Sequence, residues 1–319
     1  MSEPRRYTDA PTTVKAIRDR LSNTYTLDDT VVVRRVRTMA SIVVAQMLPD
    51  AAIKGGTGLN ARLGPEASRF SRDLDASRQR ETSEDSYVEE LKTSLGARWG
   101  GFRATAVRQS KKQLKLVPGQ YVMLPVNVAL TYRGSKFDTI RLELSVDELG
   151  SVPAATVEIN PVLVEMFTRI GLEAPRPIPV ITLEHQIAKK IHACTTPDSR
   201  GANERAHDLV DLQLLYDAGA IDLADLGRLG QRLTSFRKSG SWPPVAVARD
   251  GWGGLYAEAA EGLPVLPLDA AVVWVNDLVD AAEAARRLSD GDRNQSAPRL
   301  NPVSHRETAM SPREKTHVT

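Results

Sequence analysis

Only one cysteine, Cys194, occurs among the 319 residues, so no disulfide can close within the chain. That fits a reducing compartment. The opening stretch, MSEPRRYTDAP, holds no apolar core of the kind a signal peptide needs. No uninterrupted apolar run approaches the ~18 residues that a membrane span requires. The expected location is therefore cytoplasmic, with no membrane partner. An excess of charge of one sign is missing too. A formal net charge of +2 offers no bulk argument for nucleic-acid binding. Internal repeats are also lacking.

What is present suits a globular protein with a sizeable core. Hydrophobic residues make up 41% and charged residues 26%, both ordinary values, and the length suggests about two domains. Residues 12 to 48 carry helical spacing. Val14, Ile17 and Leu21 recur three and four apart after a capping Thr12 or Thr13. Val32, Val36, Met39, Val43 and Met47 form a second stripe over about 27 to 48, stopped by Pro49. AAIKGGTGL reads as a short strand entering a glycine turn, SRDLDAS as another strand and SEDSYVEELKTSL as a capped helix. From Phe102 to Glu148 the pattern is mostly β, in FRATAV, QYVMLPVNVALTY and FDTIRLELSV. The proline-rich PRPIP at 175 to 179 reads as a hinge. Beyond it TLEHQIAKKIHAC, NERAHDLVDLQLLYDAG, DLADLGRLGQRLTSF and AAVVWVNDLVDAAEAARRL all carry helical periodicity. These shifts divide the chain into a helical segment (1–48), a sheet-bearing core (49–180), a helical lobe (181–290) and a polar tail (291–319), expected to be disordered.

The chemistry concentrates in Lys54-Gly55-Gly56-Thr57 and Ser71-Arg72-Asp73-Leu74-Asp75. On a strand, residues two apart share a face, which sets Asp73 beside Asp75 with carboxylates roughly 5–7 Å apart and sends Leu74 into a core. Two like charges at that range repel by about 2–3 kcal/mol at an effective dielectric of about 20. Such a pair needs a cation, a shared proton or free solvent, and a hard divalent ion is the natural partner. A solvated pair on a strand edge is the competing account. Gly55 and Gly56 let backbone amides approach a phosphate, and Thr57 adds a hydroxyl. In Ile140-Arg141-Leu142-Glu143-Leu144, the alternation puts Glu143 opposite the apolar face. If this strand lies beside the aspartate strand, three carboxylates converge on one metal. That arrangement suits nucleotidyl transfer, in which magnesium clamps a triphosphate and a carboxylate takes the proton of the attacking hydroxyl.

Leu183, Ile187, Lys190 and Cys194 lie on one helical stripe, apolar except for the lysine. A lysine there must be paired or face a cleft, which makes Lys190 the better candidate to reach a triphosphate. Lys189, His185 and His192 occupy a second, polar face and are expected to be solvated rather than metal-binding. Asp208 and Asp211 share a side of the next helix, and Arg205 can pair with Asp208. The run from Trp99 to Leu116 holds Arg103, Arg108, Lys111, Lys112 and Lys115, follows Arg98 and contains no acid. It is a candidate phosphate track for nucleic acid or, equally, a solvated basic hairpin.

The GGT turn, RFSRDLD, RLELS, EHQIAKKIHA and RAHDLVDLQLL occur in the order seen in AbiEii-type nucleotidyltransferase toxins, which include the mycobacterial MenT group. The chain resembles that family over roughly residues 35 to 220. The resemblance implies an α+β fold, with a nucleotidyltransferase-type mixed β-sheet core, N-terminal helices and a helical C-terminal lobe. It implies Asp73, Asp75 and Glu143 as metal-binding and catalytic acids. Gly55, Gly56, Thr57, Ser71, Lys190 and Asp208 would form the nucleotide site, and Lys190, Asp208 and Asp211 would join the acids in catalysis. It further implies Mg2+, a nucleoside triphosphate substrate, a cognate antitoxin, and RNA, specifically the 3′ end of transfer RNA, as acceptor, with translation blocked as the outcome. The chain departs from the family pattern in having Thr57 where many members have serine, a longer stretch before Asp73, and His207 rather than arginine before Asp208. Two other readings compete. One is a nucleotidyltransferase acting on a small hydroxylated molecule; the other is a nucleotide-binding regulator without transfer activity.

Overall fold

The computed structural model describes residues 5–110, 122–196, 203–238 and 240–296. Helices α1 (Val14–Tyr25) and α2 (Asp29–Ala45) open the chain. Thr13 caps α1 by accepting from the Ala16 amide at 3.1 Å, and Asp28 caps α2 through the Val31 amide at 3.0 Å. The apolar stripe of α2 is buried as its spacing requires, from Val32 to Val43. The helix ends at Ala45, four residues short of Pro49.

Next come β1 (Ala51–Lys54), α3 (Gly55–Leu63), β2 (Asp73–Arg78), α4 (Glu84–Gly96), β3 (Phe102–Arg108), β4 (Leu124–Tyr132), β5 (Ser135–Val146), β6 (Thr156–Glu158), α5 (Pro161–Arg169) and β7 (Ile178–Val180). The strands form one mixed sheet in the order β3-β4-β5-β2-β1-β7-β6. Strand β2 runs parallel to β5 and antiparallel to β1, and β1 runs parallel to β7. One face of the sheet is apolar. Leu74, Ala76, Val126, Val128, Ile140, Leu142 and Leu144 are buried there, in one core with α1 and α2. Each such leucine or isoleucine contributes roughly 1.5–3 kcal/mol. A one-residue slip would turn all of them to solvent, so this face fixes which residues point the other way.

Three elements escape the sequence patterns. Strands β6 and β7 have three residues each, too few to show alternation. The expected hinge at 175 to 179 runs directly into β7, which pairs with both β1 and β6. Proline is tolerated in so short a strand because few ladder bonds are needed. Helix α5 starts with Pro161 at its first turn and is capped by Asn160, which accepts from the Val162 amide at 2.9 Å, both ordinary start signals.

The remaining helices are α6 (Leu183–Thr195), α7 (His207–Asp217), α8 (Leu223–Arg237), α9 (Trp252–Ala260) and α10 (Leu268–Ser296). They share a second core built on Ile187, Ile191, Leu209, Leu212, Leu226, Trp252 and Val279. Leu59 of α3 belongs to that core, so α3 touches both halves of the protein. Helix α10 continues through Gly291 to Ser296, which corrects the expectation of a disordered tail from 291. The rest of that expected tail, 297–319, lies outside the described residues. Among the described residues no helix is long and apolar enough to cross a membrane.

Candidate active site

The parallel pairing of β2 with β5 sets Asp75 directly opposite Glu143, and Asp73 opposite Arg141. On the other side β1 sets Lys54 opposite Asp75. Residues in register share a face, so Glu143, Asp75 and Lys54 form one row across three adjacent strands, about 4.8 Å apart per step. Leu74 is fully buried on the opposite face, which fixes the outward direction of both aspartates. Burial pushes the Asp75 carboxyl above its usual range, Lys54, Lys190 and Arg205 oppose that shift, and the charge of Asp73 adds to it. Glu143 is likewise raised, first by burial and then by Asp75, against the pull of Arg141, which ion-pairs with it at 2.7 Å. Among the described residues no three acidic, histidine or cysteine side chains close into a ready-made metal cluster. The donor set still fits a small hard cation. Magnesium is commonly held by one or two carboxylates, with substrate phosphates supplying further oxygens. Two neighbouring carboxyls that repel each other provide that half of the shell.

The glycine turn is the first turn of α3. Gly55 adopts a left-handed φ of 61°, and a Cβ placed on it would stand 2.2 Å from the Asp75 Oδ2. A Cβ on Gly56 would stand 2.6 Å from the Ser71 Cβ. These positions are glycine because the aspartate strand lies against the helix start. The side-chain hydroxyls of Thr57 (3.3 Å) and Ser71 (3.1 Å) both donate to the Asp73 carbonyl. They thus hold the aspartate strand in place, a task the sequence pattern did not suggest. Gly55→Ala is expected to displace Asp75 and cut activity about 100-fold, since small misplacements of a reacting group cost that much. Its left-handed backbone adds a penalty of about 1–2 kcal/mol. Turnover and melting temperature of the purified variant check both; wild-type turnover would contradict the packing argument.

Lys190 lies on the core-facing stripe of α6, as its spacing requires. Its ammonium donates to Asp208 Oδ1 at 2.8 Å and Asp211 Oδ2 at 2.5 Å. Arg69 grips Asp211 with two bonds of 2.8 Å, and Arg205 Nε stands 3.0 Å from Asp208 Oδ2. Burial disfavours the Lys190 charge, yet Asp208 and Asp211 outweigh it and raise its pKa. Burial opposes ionisation of both carboxyls as well, but Lys190 with Arg205 holds Asp208 well below the usual range, and Lys190 with Arg69 does so for Asp211. Both aspartates are buried, so their pairs with Lys190 lie inside the protein rather than on a solvated helix surface. Three cations face two carboxylates, and the charges of Lys190 and Arg205 reach Asp75. The two clusters therefore adjoin.

Lys189 is not solvated. It donates to Glu148 Oε2 at 2.9 Å, and Arg237 of α8 grips the same carboxylate with bonds of 2.8 to 3.1 Å. His185 and His192 are buried too. The His185 Nδ1 meets the Thr182 hydroxyl at 2.9 Å and the His192 Nδ1 meets that of Thr196 at 2.8 Å. The polar face of α6 is covered because α8 packs on it, a contact that helix periodicity alone does not reveal. Burial would raise the Glu148 carboxyl, but Lys189 and Arg237 bring it down to about 2. A depressed carboxyl contributes stability that is present above its unfolded value and is lost as pH falls through the folded one. Acid unfolding should thus consume on the order of 3 kcal/mol between about pH 4.5 and pH 2 through this group. Glu148→Gln should flatten that limb in denaturant titrations; an unchanged limb would contradict the pairing.

Of the basic run, Arg98 and Arg103 are exposed. Arg108 is engaged by Asp85 at 2.5 Å and Glu84 at 3.1 Å. Lys111, Lys112 and Lys115 lie outside the described residues. The sheet face bearing the carboxylates continues outward over β5, β4 and β3, where Arg141, Thr139, Asn127, Ala129, Thr105 and Arg103 are exposed. Sequence reasoning passed over three residues of the site region. Lys54 was visible in its motif, but its row with Asp75 was not. Arg69 bonds across 142 positions and Glu148 across 41 and 89, separations that leave no local signal.

A family model described as nucleotidyl transferase AbiEii toxin, type IV TA system, matches residues 37–299. No curated protein matches the chain. Among solved structures, the chain is similar to MenT4, the nucleotidyltransferase toxin Rv2826c from Mycobacterium tuberculosis H37Rv. The TM-score is 0.51 at 20% identity, covering 87% of this chain and 92% of the other.

Proposed function

The chain belongs to the AbiEii nucleotidyltransferase toxin family, and from that membership we propose that it transfers a nucleoside monophosphate from a triphosphate to the 3′ end of an RNA, most specifically transfer RNA, and so blocks translation. The carrying observation is the register that places Asp75 opposite Glu143 at the start of α3. The first amides of a helix have no partners within it and attract phosphate. Gly55 and Gly56 add no side chains of their own to that end, which Asp75 and Ser71 approach closely. Asp73 and Asp75, with Glu143 as third acid, would hold Mg2+, which when bound neutralises charge developing on the phosphoryl oxygens. The acceptor hydroxyl attacks the α-phosphorus, its proton passes to a carboxylate, and the bond to pyrophosphate breaks. A raised carboxyl is the better base for that proton, and Glu143 lies on the side open to an incoming acceptor.

The open sheet face beyond Glu143 supports a long acceptor over a small enclosed one. Arg141 and Arg103 lie on it among Thr139, Asn127, Thr105, Ala129 and Val107, and exposed arginines suit phosphate contacts that carry little sequence information. A cytoplasmic site of action and a cognate antitoxin complete the proposal. Incubation with each of four α-labelled triphosphates, magnesium and total RNA tests it. Label should enter RNA and be lost with a chelator. Label found only on a small hydroxylated compound would replace the RNA reading.

A further inference from the structure

Lys54 is a poorly compensated, half-buried cation on β1, beside the carboxylate strand. Its ammonium makes one hydrogen bond, to the neutral Ser145 hydroxyl at 2.7 Å. Among the described residues it has no ion pair. Burial acts on it most strongly, followed by repulsion from Lys189 and then attraction from Asp75 and Glu148, and its pKa falls to about 8. Leaving an ammonium desolvated without a carboxylate is costly, and such groups cluster where a charged ligand supplies the missing partner. Lys189 and Arg237, which stand nearby, are spent on Glu148.

Position then decides what Lys54 meets. Across β5, β2 and β1 the row reads Glu143, Asp75, Lys54. The open face for an acceptor lies on the Glu143 side. In-line transfer requires the attacking and leaving oxygens on opposite sides of the phosphorus. With the reacting phosphorus above Asp75, departure is toward β1, where Lys54 is rooted, although its ammonium reaches over β2 to Ser145 of β5. Resting on the function proposed above, we infer that Lys54 exchanges Ser145 for the β- and γ-phosphates of the triphosphate and meets the negative charge of the leaving pyrophosphate. The new bond joins the acceptor oxygen to the α-phosphorus, the bond from that phosphorus to the bridging oxygen breaks, and Lys54 supplies charge and hydrogen bonds without giving up its proton.

Calorimetric binding of non-hydrolysable triphosphates and of the matching monophosphates, with magnesium, tests this on wild-type, Lys54→Met and Lys54→Arg. Lys54→Met should weaken triphosphate binding about 10- to 100-fold, the range for a bond to a charged group, and leave monophosphate binding within about twofold. Its melting temperature should not fall, because a half-buried charge without an ion-pair partner is gone. Lys54→Arg, which keeps the charge, should recover most of the triphosphate affinity. Equal affinity in Lys54→Met, or equal loss for mono- and triphosphate, would overturn the assignment. So would a lowered melting temperature in Lys54→Met with no triphosphate-specific loss in either variant. Wild-type protein that binds no triphosphate would overturn the proposed function, and the assignment with it.

Discussion

Asp75→Ala is expected to remove nucleotidyl transfer, a loss of roughly a thousandfold or more, in line with the deletion of a principal electrostatic contact in an active site. The same change should leave stability level or raise it. Asp75 has a folded pKa above its unfolded value, mainly through burial. A carboxyl raised in that way penalises the fold at pH above its unfolded value, so near neutrality Asp75 is a cost. Neutralising it removes the cost, and Asp75→Asn should show the gain with the least change of shape. Loss of turnover together with unchanged or improved melting is the pattern of a group kept for chemistry. A drop in melting temperature with turnover intact would assign Asp75 to structure.

Lys190→Ala should do the opposite and destabilise the protein by about 3–5 kcal/mol, the cost of stripping one partner from a buried ion pair. Its ammonium carries bonds to both Asp208 and Asp211, and without it these buried carboxylates depend on Arg205, Arg69 and the more distant His207. That remaining compensation favours the lower end of the range. Denaturant unfolding of Lys190→Ala and Asp211→Asn, singly and combined, checks the pairing. The double variant should be less destabilised than the two singles summed, because each single leaves the other's charge exposed to the core. Additive effects would mean that Lys190 and Asp211 are not coupled.

The two clusters differ in how legible they are from sequence. Alternation around Leu74 and in Ile140–Leu144 is strict, and the buried face it implies fixes where Asp73, Asp75 and Glu143 point. Helical spacing likewise places Lys190 toward the core. Neighbourhood is what local pattern cannot carry. Nothing near Asp75 states that β5 will lie on one side and β1 on the other, so the row from Glu143 to Lys54 emerges only with the sheet order. The Arg69–Asp211 and Arg237–Glu148 bonds join residues far apart in sequence, and they turn faces that look solvated, that of Lys189 among them, into interfaces. Some signals were present and slight. Asn160 and Pro161 mark the start of α5 by ordinary capping rules, but three-residue strands flank its neighbourhood and offer no periodicity to frame it.

The most direct test of the account follows the two ends of the same triphosphate. Purified protein is incubated with magnesium, transfer RNA and a triphosphate labelled at either the α- or the γ-phosphate, with Asp73→Ala alongside. Nucleoside monophosphate transfer predicts that α-label enters RNA, that γ-label leaves as pyrophosphate, and that the variant incorporates neither. Incorporation of γ-label, or equal incorporation by Asp73→Ala, would contradict the proposed reaction at this site.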